Sequence, residues 1–257
     1  MTDSPLDQQH VPTDHDVAAE VATGAGLVLL GLRADRSDLD GSALKDAGDR
    51  AAQDHIARML ARRRPHDAVL SEEGAEDPRR RSAARVWIVD PLDGTREFSE
   101  RPRDDWAVHV ALWESGRLVA GAVALPARDL TYRMDRPAAL PARPDGPVRL
   151  AVSRSRPPSF VVEIARRLGA VTVPMGSAGV KAMAVLDGTV DAYVHAGGQY
   201  EWDSAAPVAV ATGHGLAPTR VDGSPLEYNR DDPWLPDLVV ARPEVLGVVR
   251  EALDRLL

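Results

Sequence analysis

Residues Arg85 to Ser99 read Arg-Val-Trp-Ile-Val-Asp-Pro-Leu-Asp-Gly-Thr-Arg-Glu-Phe-Ser. Val86, Trp87, Ile88 and Val89 form an unbroken apolar run of strand-forming residues, the pattern of a strand buried on both faces. Asp90 stands at its exit. Pro91 has no N–H for a sheet ladder, so the strand is expected to stop there. Gly94 permits the left-handed turn that reverses the chain into a helix, which Thr95 would start. Two carboxylates this close at the end of a buried strand repel each other and lose hydration. A bound cation removes both penalties. Asp90 and Asp93 offer hard oxygen ligands, the backbone carbonyl between them offers another, and the Gly-Thr turn presents N–H donors to an anion. The alternative on these residues alone is a surface turn whose two aspartates cap a helix.

The chain has 257 residues, enough for one large domain or two subdomains with real cores. Its 31 Lys and Arg against 39 Asp and Glu give a net charge of −8, which argues against a dedicated nucleic-acid surface. A phosphorylated substrate would need divalent metal to offset repulsion from so acidic a protein. No cysteine is present, which excludes disulfides, thiolate metal sites and cysteine nucleophiles together. Val17 to Leu32 includes an apolar run, but Glu20 interrupts it and its flanks are acidic. Neither a membrane span nor a signal peptide is expected, and the chain reads as a cytoplasmic protein.

Outward from the central stretch, Thr13 or Asp14 is expected to cap a helix that ends near Arg33. Asp35 to Gly48, polar and rich in Asp and Gly, reads as a loop. A second helix then runs from about Asp49 to Arg64, with Asp49 read locally as its N-cap. Asp67 to Leu70 is a short strand, and Glu72 and Glu73 follow it at the position where open sheets place ligand chemistry. Trp106 to Trp113 and Arg117 to Leu125 form a hairpin, and Thr131 to Met134 adds a short strand. Pro137 to Pro147 is a connector. Beyond it, strands Val148 to Val152, Val171 to Val173, Val190 to Val194 and Pro236 to Ala241 alternate with helices Pro157 to Leu168, Ser177 to Leu186, Asp203 to Thr212 and Pro243 to Leu257, a layered α/β pattern.

In this second half, Glu201-Trp202-Asp203-Ser204-Ala205-Ala206 is another acidic feature. Asp203 reads as the N-cap of an alanine-rich helix, yet a carboxylate at a helix start is also rigidly held, which suits a metal ligand. Gly176 and Ser177 with Lys181 could present N–H groups, a hydroxyl and an ammonium to a phosphate. His195, between Val194 and Ala196, reads as a hydrogen-bonded structural histidine.

Taken together, Glu72, the run Asp90-Pro91-Leu92-Asp93-Gly94-Thr95 and the run Trp202 to Ala206 resemble the three-part signature of the inositol monophosphatase superfamily of magnesium-dependent, lithium-sensitive phosphatases. Gly48 to Gln53, Val69 to Glu73, Trp87 to Ser99, Gly176 to Ala184 and His195 to Pro207 resemble its 3′(2′),5′-bisphosphate nucleotidase branch, the CysQ type most of all. Arg96-Glu97-Phe98 after Gly-Thr is the form of that branch, where inositol-preferring members more often carry Asn-Phe. The resemblance implies an α/β (α+β) fold, a layered αβαβα sandwich of two subdomains with the site between them. Residues 1–145 would carry most metal ligands, and residues 146–257 would carry Asp203 and the substrate contacts.

Residue by residue, the resemblance makes Glu72, Asp90, Asp93 and Asp203 side-chain metal ligands and Leu92 a carbonyl ligand. Asp49 and Thr95, assisted by Glu72, orient the attacking water. Leu92, Asp93, Gly94, Thr95, Ser177, Lys181 and Asp203 contact substrate. Lys181, Arg154 and Arg156 are candidates for holding a second phosphate. The implied cofactor is Mg²⁺, two or three ions, with Mn²⁺ as a substitute; an oxygen-only donor set selects these over zinc. The implied substrate is 3′-phosphoadenosine 5′-phosphate, cleaved to AMP and phosphate in a step that protects sulfate assimilation, with inositol phosphate or fructose 1,6-bisphosphate as the runner-up. No nucleic-acid or membrane partner is implied, and monomer and homodimer both stay open. Haloacid dehalogenase-type phosphatases carry Asp-x-Asp-Gly-Thr, whereas two residues separate Asp90 from Asp93, so that covalent mechanism is rejected. A metal-binding regulator without turnover is the competitor from another class.

Overall fold

The computed structural model describes residues 11–36, 38–39, 41–155 and 157–256. Thr13 opens helix α1 (Asp14–Asp35) with a reciprocal capping box, its hydroxyl accepting from Asp16 N and its N–H donating to the Asp16 carboxylate. Helix α2 covers Gly41–Arg63, so the segment read as a loop up to Gly48 is mostly helical. Its buried residues Leu44, Gly48, Ala52, Ile56 and Leu60 recur every fourth position, one continuous stripe. Gly48 therefore belongs to a packing face. A Cβ there would stand 2.7 Å from Phe98 Cε1 and 3.0 Å from Leu92 Cδ2.

Strands β1 (Ala68–Ser71), β2 (Arg85–Asp93), β3 (Ala107–Glu114), β4 (Arg117–Leu125) and β5 (Leu130–Arg133) form one sheet in sequence order. β1 and β2 run parallel and the remaining pairs antiparallel. Contrary to expectation, β2 does not stop at Pro91. Asp90 pairs with His109 and Asp93 with Ala107, so the register slips between them and Pro91 falls in the irregularity, where no ladder donor is required. Helix α3 (Thr95–Ser99) follows, as the sequence predicts.

The second sheet has the order β7-β6-β8-β9, formed by β6 (Arg149–Ser153), β7 (Val171–Met175), β8 (Ala192–Tyr200) and β9 (Trp234–Ala241). Between these strands run α4 (Ser159–Leu168), α5 (Ala178–Leu186) and α6 (Glu201–Gly213), and α7 (Pro243–Asp254) closes the fold.

Three apolar cores define five layers. Val86 and Ile88 of β2 face one core while Trp87 and Val89 face another, the two-sided burial expected from the unbroken apolar run. The core beneath Trp87 holds α1 and α2, with Val17, Val21, Leu29, Ile56 and Leu60 fully or almost fully buried. The central core joins both sheets through α5 and α6. The third packs α4 and α7 on the outer face of the second sheet. The result is the expected αβαβα sandwich. Among the described residues, α1 alone is long and apolar enough to cross a membrane by length and composition, although Val17, Val21, Ala22, Ala25 and Leu29 are buried inside the molecule.

Candidate active site

The slip in β2 turns the strand end out of the ladder, and Gly94, with φ 87°, reverses it into α3. A Cβ on Gly94 would lie 3.2 Å from Asp105 O, Ser177 Cβ and Trp106 Cα, so both the backbone angle and the close approach call for glycine. The carboxylates of Asp90 and Asp93 are buried there, and Asp203 reaches them from the first turn of α6. One oxygen from each of the three lies within 4.8 Å of the others.

Asp90 accepts one hydrogen bond, from Leu92 N at 3.0 Å. Burial, then the charges of Asp93, Glu72 and Asp203, pushes its carboxyl well above the usual range. Asp93 is surrounded by donors. Its Oδ2 accepts from Ser177 Oγ at 2.5 Å and Gly179 N at 2.7 Å, and lies 3.2 Å from His109 Nε2. Burial opposes its ionisation, but His109, Lys181 and the Ser177 hydroxyl together outweigh burial and hold it below the usual range. Asp203 accepts from Tyr200 N at 2.6 Å, and burial plus the Asp93 charge pushes it up to about 6.

Two further carboxylates flank the cluster. Glu72 follows β1 and keeps solvent access; desolvation of its carboxyl and the charges of Asp203 and Asp93 push it up to about 7. Asp49 is half-buried on α2, carried there by the close contact of Gly48 with Leu92 and Phe98. Burial and the charge of Glu73 push it up to about 7. A set of carboxylates raised by burial and mutual repulsion, all oxygen donors, fits a hard divalent cation. Asp93 and Asp203 border a cavity of about 700 Å³ that runs from them past Thr95 and Lys181 to Ser155 and His195.

Residues 13–252 match the inositol monophosphatase family. The chain belongs to that family. It is 50% identical over 261 residues to the 3′-phosphoadenosine 5′-phosphate phosphatase of Mycobacterium leprae, covering 95% of this chain and 96% of the relative. It is 32% identical over 204 residues to the 3′(2′),5′-bisphosphate nucleotidase CysQ of Escherichia coli K12, covering 74% and 81%. The crystal structure of CysQ from Bacteroides thetaiotaomicron superposes with a TM-score of 0.76 at 25% identity, over 90% of this chain and 98% of that one.

Within this inositol monophosphatase fold, Asp90, Asp93 and Asp203 meet as the sequence predicts, and Glu72 and Asp49 stand at their edge. The capping readings fail. Asp49 lies well inside α2 rather than at its start, because the stripe beginning at Leu44 extends the helix backwards. Asp203 is the third residue of α6, reaching back to the Tyr200 N–H. Its neighbour Glu201 turns inward and accepts from Asn229 N and Arg230 N at 2.6 and 2.8 Å. Thr95 Oγ1 donates to the Leu92 carbonyl at 3.4 Å.

Ser177 caps α5, accepting from Val180 N while donating to Asp93. Lys181 Nζ donates to the carbonyls of Gly176 and Ser177 at 3.2 and 2.6 Å and lies 5.4 Å from the centre of the Tyr193 ring. Of the candidates for a second phosphate, Arg154 is engaged by Glu97 at 2.7 Å and Glu100 at 2.8 Å, and Arg156 lies outside the described residues. His195 Nε2 is 2.9 Å from Gly198 O, the structural role expected of it.

His109 was not among the sequence candidates. It is fully buried on β3 and bridges Asp93 to the Trp202 carbonyl, 3.1 Å from Nδ1. The available signal was a lone imidazole inside the apolar strand Ala107 to Leu112. Gly179 makes room for it, since a Cβ there would sit 2.1 Å from His109 Nε2.

Proposed function

We propose that this family member hydrolyses the 3′-phosphate of 3′-phosphoadenosine 5′-phosphate, giving AMP and phosphate in the cytoplasm and clearing an inhibitory by-product of sulfate assimilation. The observation that carries the reading is the meeting of Asp90, Asp93 and Asp203 beside Gly94 and Thr95 at one end of the cavity. The names borne by its relatives from Mycobacterium leprae and Escherichia coli support the substrate. On this reading residues 1–145 and 146–257 act as two subdomains that contribute to a shared site.

Glu72, Asp90, Asp93 and Asp203, with the Leu92 carbonyl, would hold two or three Mg²⁺ ions, Mn²⁺ substituting. When bound, Mg²⁺ supplies positive charge against the phosphoryl oxygens and the departing oxygen and acidifies the attacking water. The Thr95 hydroxyl and the Asp49 carboxylate orient that water, and the turn at Gly94 and Thr95 holds the phosphoryl oxygens. The Asp49 carboxylate, beside the ligands but not one of them, would accept the proton that the water loses as it attacks phosphorus, with Glu72 assisting. The bond from phosphorus to the 3′-oxygen breaks, and that oxygen takes up a proton from solvent.

The test is catalytic efficiency with Mg²⁺ on 3′-phosphoadenosine 5′-phosphate, inositol 1-phosphate and fructose 1,6-bisphosphate in parallel. The nucleotide is expected to be preferred by at least about tenfold, a difference of about 1.4 kcal/mol in transition-state binding. Preference for inositol 1-phosphate or fructose 1,6-bisphosphate would replace the substrate and leave the phosphatase assignment standing. Release of phosphate from none of them would favour the regulator.

A further inference from the structure

A substrate with two phosphates presents a problem that the carboxylate cluster does not solve. The ions held there face one phosphate, and the other, also dianionic, must rest elsewhere in a cavity walled by Asp93, Asp203 and Glu97. It needs a positive group of its own, free to approach it.

Among the described residues, which do not include Arg156, the positive groups on or beside the cavity wall are few. Lys181 is 7% exposed, with its ammonium tied to two carbonyls of the turn before α5 and packed over Tyr193. It lines the cavity but is not a free arm. Arg154 is clamped between Glu97 and Glu100, and Glu97 is itself buried, so releasing that guanidinium would strand a buried carboxylate. His195 is tied to Gly198 O. Arg96 differs from all of these. It lines the cavity directly after Thr95, is exposed, and makes no side-chain hydrogen bond or ion pair with any described residue. Its neighbour Glu97 is already neutralised by Arg154, so no adjacent carboxylate competes for it.

We propose that Arg96 binds the second phosphate of the substrate and so determines selectivity for bisphosphorylated over monophosphorylated ligands. The inference rests on the substrate reading above. A guanidinium offers a planar fork that meets two phosphate oxygens at once, and one that makes no internal ion pair loses none on binding. Its place beside Thr95 couples the two ends of the substrate, because the turn that holds the scissile phosphate also carries the arm that holds the other.

The experiment compares kcat/KM of wild type, Arg96→Ala, Arg96→Lys and the control Arg62→Ala, an exposed residue near the end of α2, with two substrates. These are 3′-phosphoadenosine 5′-phosphate and adenosine 3′-monophosphate, which lacks only the 5′-phosphate. Arg96→Ala is expected to lose about tenfold to a hundredfold on the bisphosphate, the worth of a charged hydrogen-bonding contact, and to be unchanged on the monophosphate. Arg96→Lys recovers part of the loss, and Arg62→Ala matches wild type on both. Equal losses on both substrates, or equal losses in Arg96→Ala and Arg62→Ala, would overturn the assignment. So would a wild type that prefers the bisphosphate together with an Arg96→Ala variant that keeps the full preference, and in that case the substrate reading survives. A wild type with no preference between the two nucleotides overturns the assignment and the substrate reading together.

Discussion

Asp90 and Asp93 close the same buried strand, yet their surroundings are opposite. Asp93 collects a hydroxyl from Ser177, an N–H from Gly179 and the imidazole of His109, and its charge is stabilised before any ion arrives. Asp90 receives one N–H from the adjacent turn and faces Glu72 and Asp203. The donors around Asp93 come from β3 and the start of α5, whereas the other half of the cluster adjoins β1 and α2, which contribute the carboxylates Glu72 and Asp49. The site is thus half preorganised and half in charge deficit. The deficit marks where a cation gains most, since it replaces repulsion with attraction where solvent cannot.

The contrast breaks most sharply on a matched pair of variants. Asp90→Asn and Asp93→Asn each remove one negative charge at almost constant volume, and each is expected to lower kcat/KM by roughly three orders of magnitude, the several kcal/mol a metal ion contributes. Thermal melts in chelator separate them. Asp93→Asn leaves His109 and Lys181 without their counter-charge and turns an amide N–H₂ toward donors, a loss of about 1–3 kcal/mol. Asp90→Asn removes a buried carboxyl that has one hydrogen bond and three carboxylate neighbours, and that without metal must either stay charged there or take up a proton, so the metal-free Tm rises. Shifts of the same sign in both variants would remove the distinction between the two halves.

His109 sharpens the comparison at a smaller scale. It touches Asp93 on one side and the Trp202 carbonyl on the other, next to Asp203 in sequence, so it positions two carboxylates of the cluster relative to each other. His109→Ala is expected to lower both Mg²⁺ affinity and kcat/KM by about tenfold to a hundredfold, the usual effect of removing a group that orients a ligand. Calorimetric titration with Mg²⁺ reads the first independently of turnover. Unchanged Mg²⁺ affinity would mean that Ser177 and Gly179 hold Asp93 by themselves.

The cluster was legible because its chemistry lies in short runs. Asp90, Leu92, Asp93, Gly94 and Thr95 are nearly contiguous, and Trp202-Asp203 recurs at one helix start. The supporting residues were not legible, since Asp93 meets His109, Ser177 and Gly179 only after a sheet register and a helix packing angle bring them together. The same limit explains Asp49. Local rules read Gly48-Asp49 as a break and a cap, while the stripe from Leu44 to Leu60 makes both residues interior to α2. Two-sided burial of β2 could be read from four consecutive apolar residues, but its continuation through Pro91 depends on the slip against β3. Arg96 and Arg154 are equally charged in the sequence. Only the folded chain pairs one with Glu97 and Glu100 and leaves the other facing the cavity.

The smallest effect is a pH dependence of the metal-free protein, and the two halves contribute to it in different windows. Glu72 and Asp49, pushed up to about 7, and Asp203, pushed up to about 6, have folded values above the ordinary carboxylate value of about 4. Between those limits the folded chain binds more protons than the unfolded chain, so stability falls as pH rises from about 4 to about 7. His109, raised by Asp93 against the effect of its burial, adds in the same direction as pH passes its folded value. Asp93 has the opposite sign: its folded value is depressed, so its contribution is complete above the unfolded value of about 4 and is lost only on acidification below that. In chelator, Tm is therefore expected to drop by a few degrees between pH 5 and pH 8, the range in which Asp93 contributes no slope. Saturating Mg²⁺ should raise Tm more at pH 8 than at pH 5, because ions bind the deprotonated carboxylates of the deficient half and protons compete with them. A flat metal-free Tm over that range, with equal Mg²⁺ gains at both ends, would mean that Glu72, Asp49 and Asp203 are already ionised at pH 5 and that the deficit does not exist.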